Sequence, residues 1–366
     1  MNDPRSPGRL SRRALLRAGV SAAAGGLVLG RWPGAMAAET RRLVSFPEKA
    51  DLILLATRPP ELETPMTYFD RAITPNEAFF VRYHVVPIPT SVDLDRWRLE
   101  IKGEVGRPLK LSMAELTGKF PKVSVTAVNQ CSGNSRGRFA PQVLGVQWGD
   151  GAMGNAVLTG ARLSDLLKAA SVKASGVDVT FNGLDAPAFP TVPDFVKALA
   201  VARIMNDPEV ILAYEMNGQR LPMLNGFPLR LIVPGWYGVY WVKHLFEITV
   251  LRAPFENYWT KTAYRIPDTP CGCVEPGTAP RATVPITRMT VRSFIASPVS
   301  GTRIPVGQAV TLRGIAFDGG YGIREVLVSE DGARSGDARR SARTSAGTRS
   351  ASGRRRGRPT APGRRG

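Results

Sequence analysis

A cysteine stands in a short turn of small residues whose types suit metal binding or nucleophilic chemistry. The segment 129–136 reads NQCSGNSR, so a predicted strand at 123–128 leads into Cys131, and Arg136 follows five residues later. Glycine and asparagine let the backbone come close to the sulfur, and a nearby guanidinium favours the thiolate, the form that binds metals or attacks electrophiles. A buried structural thiol explains the same pattern equally well.

Two further segments have residues that suit an anionic ligand. In a strand covering FVRYH at 80–84, Arg82 and His84 point to the same face; a satisfied polar pair at a sheet edge is the alternative. The segments 214–219 and 224–243 combine glycines with Arg230 and Lys243, as a phosphate-bearing ligand requires. Ordinary turns between strands show a similar composition.

Strand-like runs outnumber helical ones among the elements that must position these residues. Strands are predicted at 79–85, 98–101, 123–128, 177–181, 229–233 and 245–250, and helices at 162–170 and 194–201. With many Gly and Pro residues in the turns, this pattern predicts an α+β fold and not a doubly wound sheet. The proline-rich residues 38–75 are predicted to form an extended segment packed on the surface.

Three more strand-like runs follow a connection at 271–286. They lie at 289–295, 309–316 and 323–329, at the spacing typical of the start of an immunoglobulin-like sandwich. Such a sandwich needs about seven strands and roughly 100 residues. We therefore expect the catalytic domain at 38–275 to be followed by a truncated all-β domain at 283–332 with an exposed apolar edge.

The charge of the chain is concentrated at its two ends. Of the net charge of +19 over 366 residues, +5 lies in residues 1–37 and +10 in 333–366, which leaves +4 for 38–332. The central body is therefore nearly balanced and has no basic run interleaved with aromatics, which argues against a nucleic-acid partner.

Each end of the chain has its own signature. A twin-arginine signal is predicted at 1–37, from SRRALLR at 11–17, an apolar stretch at 18–30 and AMA at 35–37. Such a signal predicts a periplasmic enzyme that is exported in its folded form. The apolar stretch is too short to span a membrane. The tail at 333–366 has no Leu, Ile, Val, Met or aromatic residue to bury and is predicted to be disordered, either as a genuine basic arm or as a frameshifted product.

The remaining cysteines, Cys271 and Cys273, are two residues apart. This spacing is awkward for a mutual disulfide, so we expect structural thiols, with a strained pair or a metal site as alternatives. With three cysteines and two histidines in all, the chain cannot build a four-thiolate zinc site or a site built mainly on imidazole.

Taken together, these motifs resemble the sulfite oxidase family of molybdenum enzymes, above all the bacterial periplasmic sulfite dehydrogenases (sulfite:cytochrome c oxidoreductases). The resemblance runs from about residue 60 to 332. The motifs at 80–84, 131–136, 214–218 and 225–230 occur in the family's order. TAYRIP at 262–267 and CGCVEPGT at 271–278 look particularly like the sulfite dehydrogenase branch.

The resemblance implies a role for each motif residue. Cys131 would supply the protein thiolate to molybdenum, whose other ligands are the pterin dithiolene and oxo groups. Sulfite would meet Arg82, Arg136 and Tyr264, with His84 beside Arg82 and an aromatic residue in the pocket wall. That aromatic residue is Trp148. The residues implied to hold the pterin and its phosphate are His84, Asp185, Asn225, Arg230, Trp241 and Lys243.

The implied activity is oxidation of sulfite to sulfate by oxygen-atom transfer. Electrons would leave to a separate c-type cytochrome, because the sequence has no Cys-x-x-Cys-His haem motif, and no haem is expected in this chain. A homodimer is expected to be weakened by the truncation. Two alternatives stay open: a molybdoenzyme of the same fold acting on methionine sulfoxide or nitrate, and an inactive remnant or basic binding protein.

Overall fold

A computed structural model of the chain describes residues 43–275, 277–329 and 340–341, the last pair by backbone alone. The predicted signal at 1–37 and most of the tail at 333–366 lie outside the described residues. The strands are β1 (Leu43–Val44), β2 (Leu52–Thr57), β3 (Pro60–Glu63), β4 (Leu99–Gly103), β5 (Leu109–Leu111), β6 (Lys122–Gln130), β7 (Met153–Arg162), β8 (Asp178–Gly183), β9 (Lys197–Ala200), β10 (Ile211–Met216), β11 (Gln219–Arg220), β12 (Arg230–Ile232), β13 (Leu245–Leu251), β14 (Arg265–Pro267), β15 (Thr283–Pro285), β16 (Arg292–Ser297), β17 (Arg313–Phe317), β18 (Leu327–Val328) and β19 (Arg340–Ser341).

Helices are few and short in the described ranges. The α-helices are α1 (Met113–Lys119), α2 (Leu163–Ala169) and α3 (Val201–Asn206). Single turns of 3-10 helix lie at Met66–Asp70, Arg136–Arg138, Met223–Asn225 and Gly238–Tyr240, and a π-helical turn lies at Trp259–Ala263. None of the helices in the described ranges is long and apolar enough to cross a membrane.

Two five-stranded sheets form the main framework. One has the order β11-β10-β7-β6, with β12 also paired to β10, and the other has the order β5-β4-β13-β8-β9. A smaller sheet, β1-β2-β3, precedes them. Apart from the parallel pair β4–β13, the neighbouring strands of all three sheets run antiparallel. The prediction of a mixed fold of helices and strands is confirmed.

The longest pairing in the fold fixes the position of the cysteine turn. Strands β6 and β7 pair without interruption from Lys122↔Ala161 to Gln130↔Met153. Directly after β6, the Cys131 N–H donates to the Ala152 carbonyl at 2.9 Å, so the ladder is continued by one bond. A nine-residue strand rich in β-branched residues therefore ends at Gln130 and presents Cys131 at its tip.

The C-terminal segment shares the core of the rest of the chain. Ile286, Met289 and Phe317 are buried in the same hydrophobic cluster as the main sheets, and the 3-10 turn Met66–Asp70 packs against β16 and β17. In the described ranges the strands after 263 form three separate two-stranded sheets, β14–β15, β16–β17 and β18–β19. The predicted immunoglobulin-like sandwich is not formed by these pairings.

The exposed apolar side chains of this segment agree with the predicted apolar edge. The large apolar residues exposed between 283 and 329 are Val284, Val291, Ile295, Val299, Ile304, Val306, Val310, Leu312, Tyr321, Ile323 and Leu327. In the described residues β16 and β17 pair only with each other, so the outer edge of each strand has no hydrogen-bonded neighbour strand.

Three local predictions are wrong. Residues 79–85 form an irregular segment with one isolated bridge, Leu62↔Val81, in place of a strand. The predicted helix at 194–201 gives way to β9, which pairs with β8, and a helix begins only at Val201. The stretch 38–75 is not a surface strap, because all four residues of β3 are buried. For β3 and β9, pairing with a strand distant in the fold outweighs local propensity.

The prediction for the cysteine pair is also wrong. Cys271 and Cys273 form a disulfide, with a Cα–Cα distance of 5.1 Å that lies within the usual range. Gly272 adopts a φ of +60°, the left-handed region that glycine enters without steric cost. This residue lets the chain turn back far enough for two cysteines so close in sequence to meet.

Candidate active site

A pocket brings together most of the residues that the motifs predict. Its walls come from the irregular segment around residue 82, the end of β6, the loop after β8, the 225–243 region and the residue after the π-helical turn. The lining residues are Phe80, Arg82, His84, Asn129, Cys131, Ser132, Asp185, Phe195, Asn225, Arg230, Gly238, Val239, Trp241, Lys243 and Tyr264. Nine of the eleven predicted site residues are in this set.

Cys131 is the free cysteine of the chain, and its thiol is buried at the pocket. The sulfur accepts a hydrogen bond from the Gly133 N–H at 3.4 Å. Burial raises the pKa of the thiol, and the positive charges of Arg82 and Arg136 offset that effect only in part. Since burial outweighs the local charge, this cysteine is a thiol in the protein alone and needs a bound metal to hold it as thiolate.

Arg82 is held between a carboxylate and a hydroxyl. Its Nη1 donates to Glu61 Oε1 at 2.6 Å, and its Nη2 lies 3.4 Å from the Tyr264 hydroxyl. Glu61 is 2% exposed, and its Oε2 has no hydrogen-bond partner in the described part of the chain. The guanidinium is therefore fixed beside Cys131, where its fork of donors suits an oxyanion.

The Tyr264 hydroxyl also contacts His84. Its oxygen is 2.7 Å from His84 Nε2, and the imidazole stacks on Phe195 with ring centroids 3.6 Å apart. Burial, followed by the charge of Arg82, holds the pKa of His84 well below its usual range, so the ring is neutral. Burial also raises the pKa of Tyr264 to about 12. We infer that the tyrosine hydroxyl donates to a neutral Nε2, because Arg82 can only donate.

Two basic side chains, the buried Arg230 and the half-buried Lys243, lie on another wall. Arg230 donates to the Trp241 carbonyl at 3.3 Å and to the Asn225 carbonyl at 3.1 Å, and burial lowers its pKa to about 10. Lys243 donates to the Arg82 carbonyl at 2.6 Å, and burial lowers its pKa. Burial raises the pKa of the Asp185 carboxyl, which lines the same pocket. Two cations against one carboxyl make this wall suitable for a phosphate group.

The Lys243 side chain owes its position to a glycine. Gly226 has a φ of +115°, and a Cβ there would come within 3.0 to 3.2 Å of Lys243 atoms. Backbone bonds from the His244 N–H to the Gly226 carbonyl and from the Leu231 N–H to the Val242 carbonyl hold the two segments together. The motif glycine is therefore required for both its dihedral angle and its small size.

Arg136 and Trp148 do not line the pocket. The Arg136 guanidinium occupies the space beside Gly133 and Gly145, where an added Cβ would collide with it. Trp148 is buried behind the wall and packs edge-on against Phe80, with ring centroids 6.4 Å apart. Arg136 therefore acts on Cys131 through its charge, and Trp148 supports the lining residue Phe80.

Four residues at or near the pocket were missed by sequence reasoning. Glu61 and Lys197 are buried charges, Asn129 is a buried amide in the pocket wall, and Phe195 covers His84. Lys197 is 1% exposed, its Nζ lies 4.4 Å from the centre of the Tyr240 ring, and burial lowers its pKa to about 8. Asn129 lies two residues before Cys131, and the other three lie outside the motifs.

Comparison with known proteins gives the same family from sequence and from structure. Residues 85–259 match the oxidoreductase molybdopterin binding domain. Mitochondrial sulfite oxidase of Rattus norvegicus is 38% identical over 76% of this chain and 50% of its own length. Sulfite oxidase of Arabidopsis thaliana is 31% identical over 72% of this chain and 68% of its own length.

The chain belongs to the sulfite oxidase family. The crystal structure of the sulfane dehydrogenase SoxCD from Paracoccus pantotrophus is also similar to the structure of this chain. The TM-score is 0.65 and the identity 27%, and the match covers 88% of this chain and 76% of that one. The chain spans about half the length of the mammalian sulfite oxidases it matches. Membership confirms the resemblance read from the motifs and identifies the domain as that of a molybdopterin-dependent oxidoreductase.

The residues present in the pocket fit the family's molybdenum–pterin cofactor. Cys131 offers the soft sulfur donor that such a centre takes from the protein. Arg230 and Lys243 supply buried positive charge for a phosphate. The side chain of Asn129 lines the pocket with both polar atoms unpartnered in the described residues, as expected of a group that meets a polar ligand. Together they would hold the metal, the phosphate and the polar body of the cofactor.

Proposed function

We propose that this chain oxidises sulfite to sulfate by oxygen-atom transfer and passes two electrons, one at a time, to a separate c-type cytochrome. The observation that carries the proposal is the position of Arg82, whose guanidinium lines the pocket beside Cys131 between Glu61 and Tyr264. A cation held there matches a small oxyanion at the cofactor.

Four residues of the chain act on the substrate, two near it and two through their charge. Arg82 binds a sulfite oxygen, and the Tyr264 hydroxyl lies within reach of the same region. The positive charges of Lys243 and Arg136 add to the field that attracts a dianion and holds it in orientation. The bound cofactor supplies the transferable oxygen atom and takes up two electrons.

Protons must also leave the site. Sulfite and water give sulfate, two protons and two electrons, so a base near the pocket speeds turnover. The Tyr264 hydroxyl lies 2.7 Å from His84 Nε2, which holds the hydroxyl in place, but the low pKa of His84 makes this nitrogen a poor proton acceptor. Burial raises the pKa of the Glu61 carboxyl to about 7, which makes Glu61 the better candidate for an acceptor near neutral pH.

The test is sulfite-dependent reduction of cytochrome c by the purified full chain. Activity accompanied by molybdenum and pterin, and abolished by Cys131→Ser, supports the proposal. The double variant Cys271→Ser/Cys273→Ser is the matched control, because those exposed sulfurs lie outside the pocket and the variant should keep activity. Cofactor-loaded protein that does not oxidise sulfite, or activity that survives Cys131→Ser, would refute it.

Similarity to SoxCD favours a second candidate substrate, sulfane sulfur. That structure is called a sulfane dehydrogenase, and the likeness covers most of this chain. Cytochrome c reduction with a protein-bound persulfide, compared with sulfite at equal concentration, separates the two. A higher kcat/KM for the persulfide would favour the second candidate.

We further propose that the enzyme works in the periplasm. The twin-arginine pattern at 11–17 supports this, since that route carries proteins that fold before export. Cell fractionation tests it: Arg12→Lys/Arg13→Lys should move the protein from the periplasmic to the cytoplasmic fraction, and unchanged fractionation would contradict the proposal.

A further inference from the structure

Asn129 carries a buried amide that the described protein leaves without hydrogen bonds. Its side chain is 0% exposed, and neither Oδ1 nor Nδ2 has a partner among the described residues. An amide that is buried without hydrogen bonds costs on the order of 1–3 kcal/mol in proteins. Such a cost at a pocket wall indicates that the partner of this amide is a ligand.

The position of Asn129 places this amide next to the thiol. Asn129 is the penultimate residue of β6, and Cys131 follows two residues later, so the alternation of a strand sends both side chains toward one face. Both line the pocket. Gly238, which lines the pocket as well, lies against the amide, because an added Cβ there would be 2.1 Å from Asn129 Oδ1. The amide is therefore packed into the pocket wall beside a residue that must be glycine.

The neighbouring residue Gln130 provides a matched comparison. Gln130 is also 0% exposed, and its Oε1 and Nε2 also lack partners in the described ranges. Gln130 does not line the pocket, as expected for the next residue along a strand. Asn129 and Gln130 therefore form a pair for comparison, because one belongs to the pocket lining and the other does not.

We infer that Asn129 is a cofactor-binding residue that hydrogen-bonds the polar edge of the pterin, with Nδ2 donating and Oδ1 accepting. A neutral amide that both donates and accepts matches a neutral heterocycle bearing N–H groups and a carbonyl, whereas a phosphate only accepts. The cations Arg230 and Lys243 remain for the phosphate. This inference rests on cofactor binding as proposed above and extends it to a residue outside the family motifs.

The inference predicts opposite effects on the empty and the loaded protein. In Asn129→Leu, removal of the unpartnered amide leaves the melting temperature of cofactor-free full-length chain unchanged or higher. In the loaded enzyme the same change removes two hydrogen bonds to the cofactor. At about 1 kcal/mol each, their loss raises the rate of cofactor release by at least tenfold. Gln130→Leu should affect both forms alike and leave the release rate within about twofold of the parent.

The experiment measures pterin and molybdenum retained by the holoenzyme against time at 37 °C, together with melting curves of loaded protein and of protein from a cofactor-deficient host. Faster release for Asn129→Leu than for Gln130→Leu, with an intact cofactor-free melting curve, supports the inference. The inference is overturned if Asn129→Leu releases the cofactor at the parent rate or at the same rate as Gln130→Leu. It is also overturned if Asn129→Leu alone has a lower melting temperature without cofactor. In each of these outcomes the cofactor found in the parent protein still supports the proposed function. A parent without molybdenum and pterin would overturn both.

Discussion

The buried Glu61 and the half-buried Arg82 form an ion pair at the pocket, with Oε1 and Nη1 2.6 Å apart. The carboxylate is 2% exposed and reaches its partner from β3, while Arg82 comes from the irregular segment that the bridge Leu62↔Val81 holds against that strand. This bridge therefore holds the segment that carries the guanidinium proposed to bind the substrate. The carboxylate also offsets positive charge that would otherwise accumulate beside Lys243.

Glu61→Gln should change how stability depends on pH. Burial raises the pKa of Glu61 from 4.5 to about 7, so the folded protein binds this proton more tightly than the unfolded chain does. The carboxylate's contribution to stability therefore falls as the pH rises from about 4.5 through 7, by about 3 kcal/mol in total. Relative to the parent, Glu61→Gln should gain stability between pH 5 and pH 8 in urea unfolding experiments.

The control for this change is Glu100→Gln. Glu100 pairs with Lys110 at the surface, and that hydrogen bond lowers the pKa of its carboxyl. Its effect on stability should be small and opposite in sign. If the difference between Glu61→Gln and the parent were the same at pH 5 and pH 8, Glu61 would not titrate in this range.

Tyr264→Phe should impair turnover more than folding. The change removes the hydroxyl that meets His84 Nε2 at 2.7 Å and Arg82 Nη2 at 3.4 Å, while the aromatic ring remains. We expect kcat to fall by about 10²-fold, the size seen when one preorganised donor is lost, and stability to fall by about 1 kcal/mol. Steady-state kinetics with sulfite and urea unfolding measure the two effects.

Tyr258→Phe is the matched control, since Tyr258 is exposed and absent from the pocket lining. This variant should keep the parent's kcat. Equal losses for both variants would contradict a specific role for the Tyr264 hydroxyl.

The motif residues could be predicted from the sequence because their signals are local. Arg82 and His84 were predicted to share a strand face, and both meet Tyr264 although no strand forms there. Cys131 was placed after a strand, and β6 ends one residue before it. Short motifs therefore predict which side chains come together at a site, even where the secondary structure predicted for the motif is wrong.

The supporting residues could not be predicted because contacts distant in sequence decide their positions. Glu61 lies in a proline-rich stretch that local composition assigned to the surface, yet β3 is buried by pairing with β2. Lys197 lies in a stretch with helical spacing, and pairing of β9 with β8 turns it into a strand. Propensity cannot anticipate which partner strand will be available.

Lys197→Met should stabilise the protein at neutral pH. Burial lowers the pKa of Lys197 from 10.5 to about 8, and its only hydrogen bond among the described residues is a long one, 3.4 Å to the Trp259 carbonyl. The unfolded chain binds this proton more tightly than the folded protein does. The charged ammonium therefore destabilises the folded protein by its full amount below pH 8, and this destabilisation disappears as the pH rises toward 10.5. After allowance for the lost contact with Tyr240, we expect a gain of about 2 kcal/mol at pH 7.

Urea unfolding at pH 7 and pH 10 measures this gain and its decrease. Lys168→Met serves as the control, because Lys168 is an exposed residue of α2 and should change stability by less than about 0.5 kcal/mol. A destabilised Lys197→Met at pH 7 would show that the buried ammonium makes favourable contacts that outweigh its desolvation.

Arg292→Met should weaken sulfite binding from a distance. Arg292 begins β16 and donates to the Asn134 carbonyl at 3.2 Å and to Ser135 Oγ at 2.7 Å, so it braces the turn between Cys131 and Arg136. Ser135 has a φ of +69°, a conformation that a non-glycine residue keeps only when its surroundings hold it. Without the brace this turn should relax and Arg136 should shift, which raises the KM for sulfite several-fold and lowers kcat less.

The conservative change separates positioning from general stability. Arg292→Lys can form one of the two hydrogen bonds, because the lysine ammonium reaches the turn as a single donor group. The KM for sulfite should therefore rise less in Arg292→Lys than in Arg292→Met. Arg313→Met, at an exposed position of β17, should leave KM and kcat unchanged. Steady-state kinetics with sulfite, run beside melting curves, measure these effects. If Arg292→Met lowers the melting temperature but leaves KM at the parent value, the residue stabilises the C-terminal hairpin without positioning the substrate site.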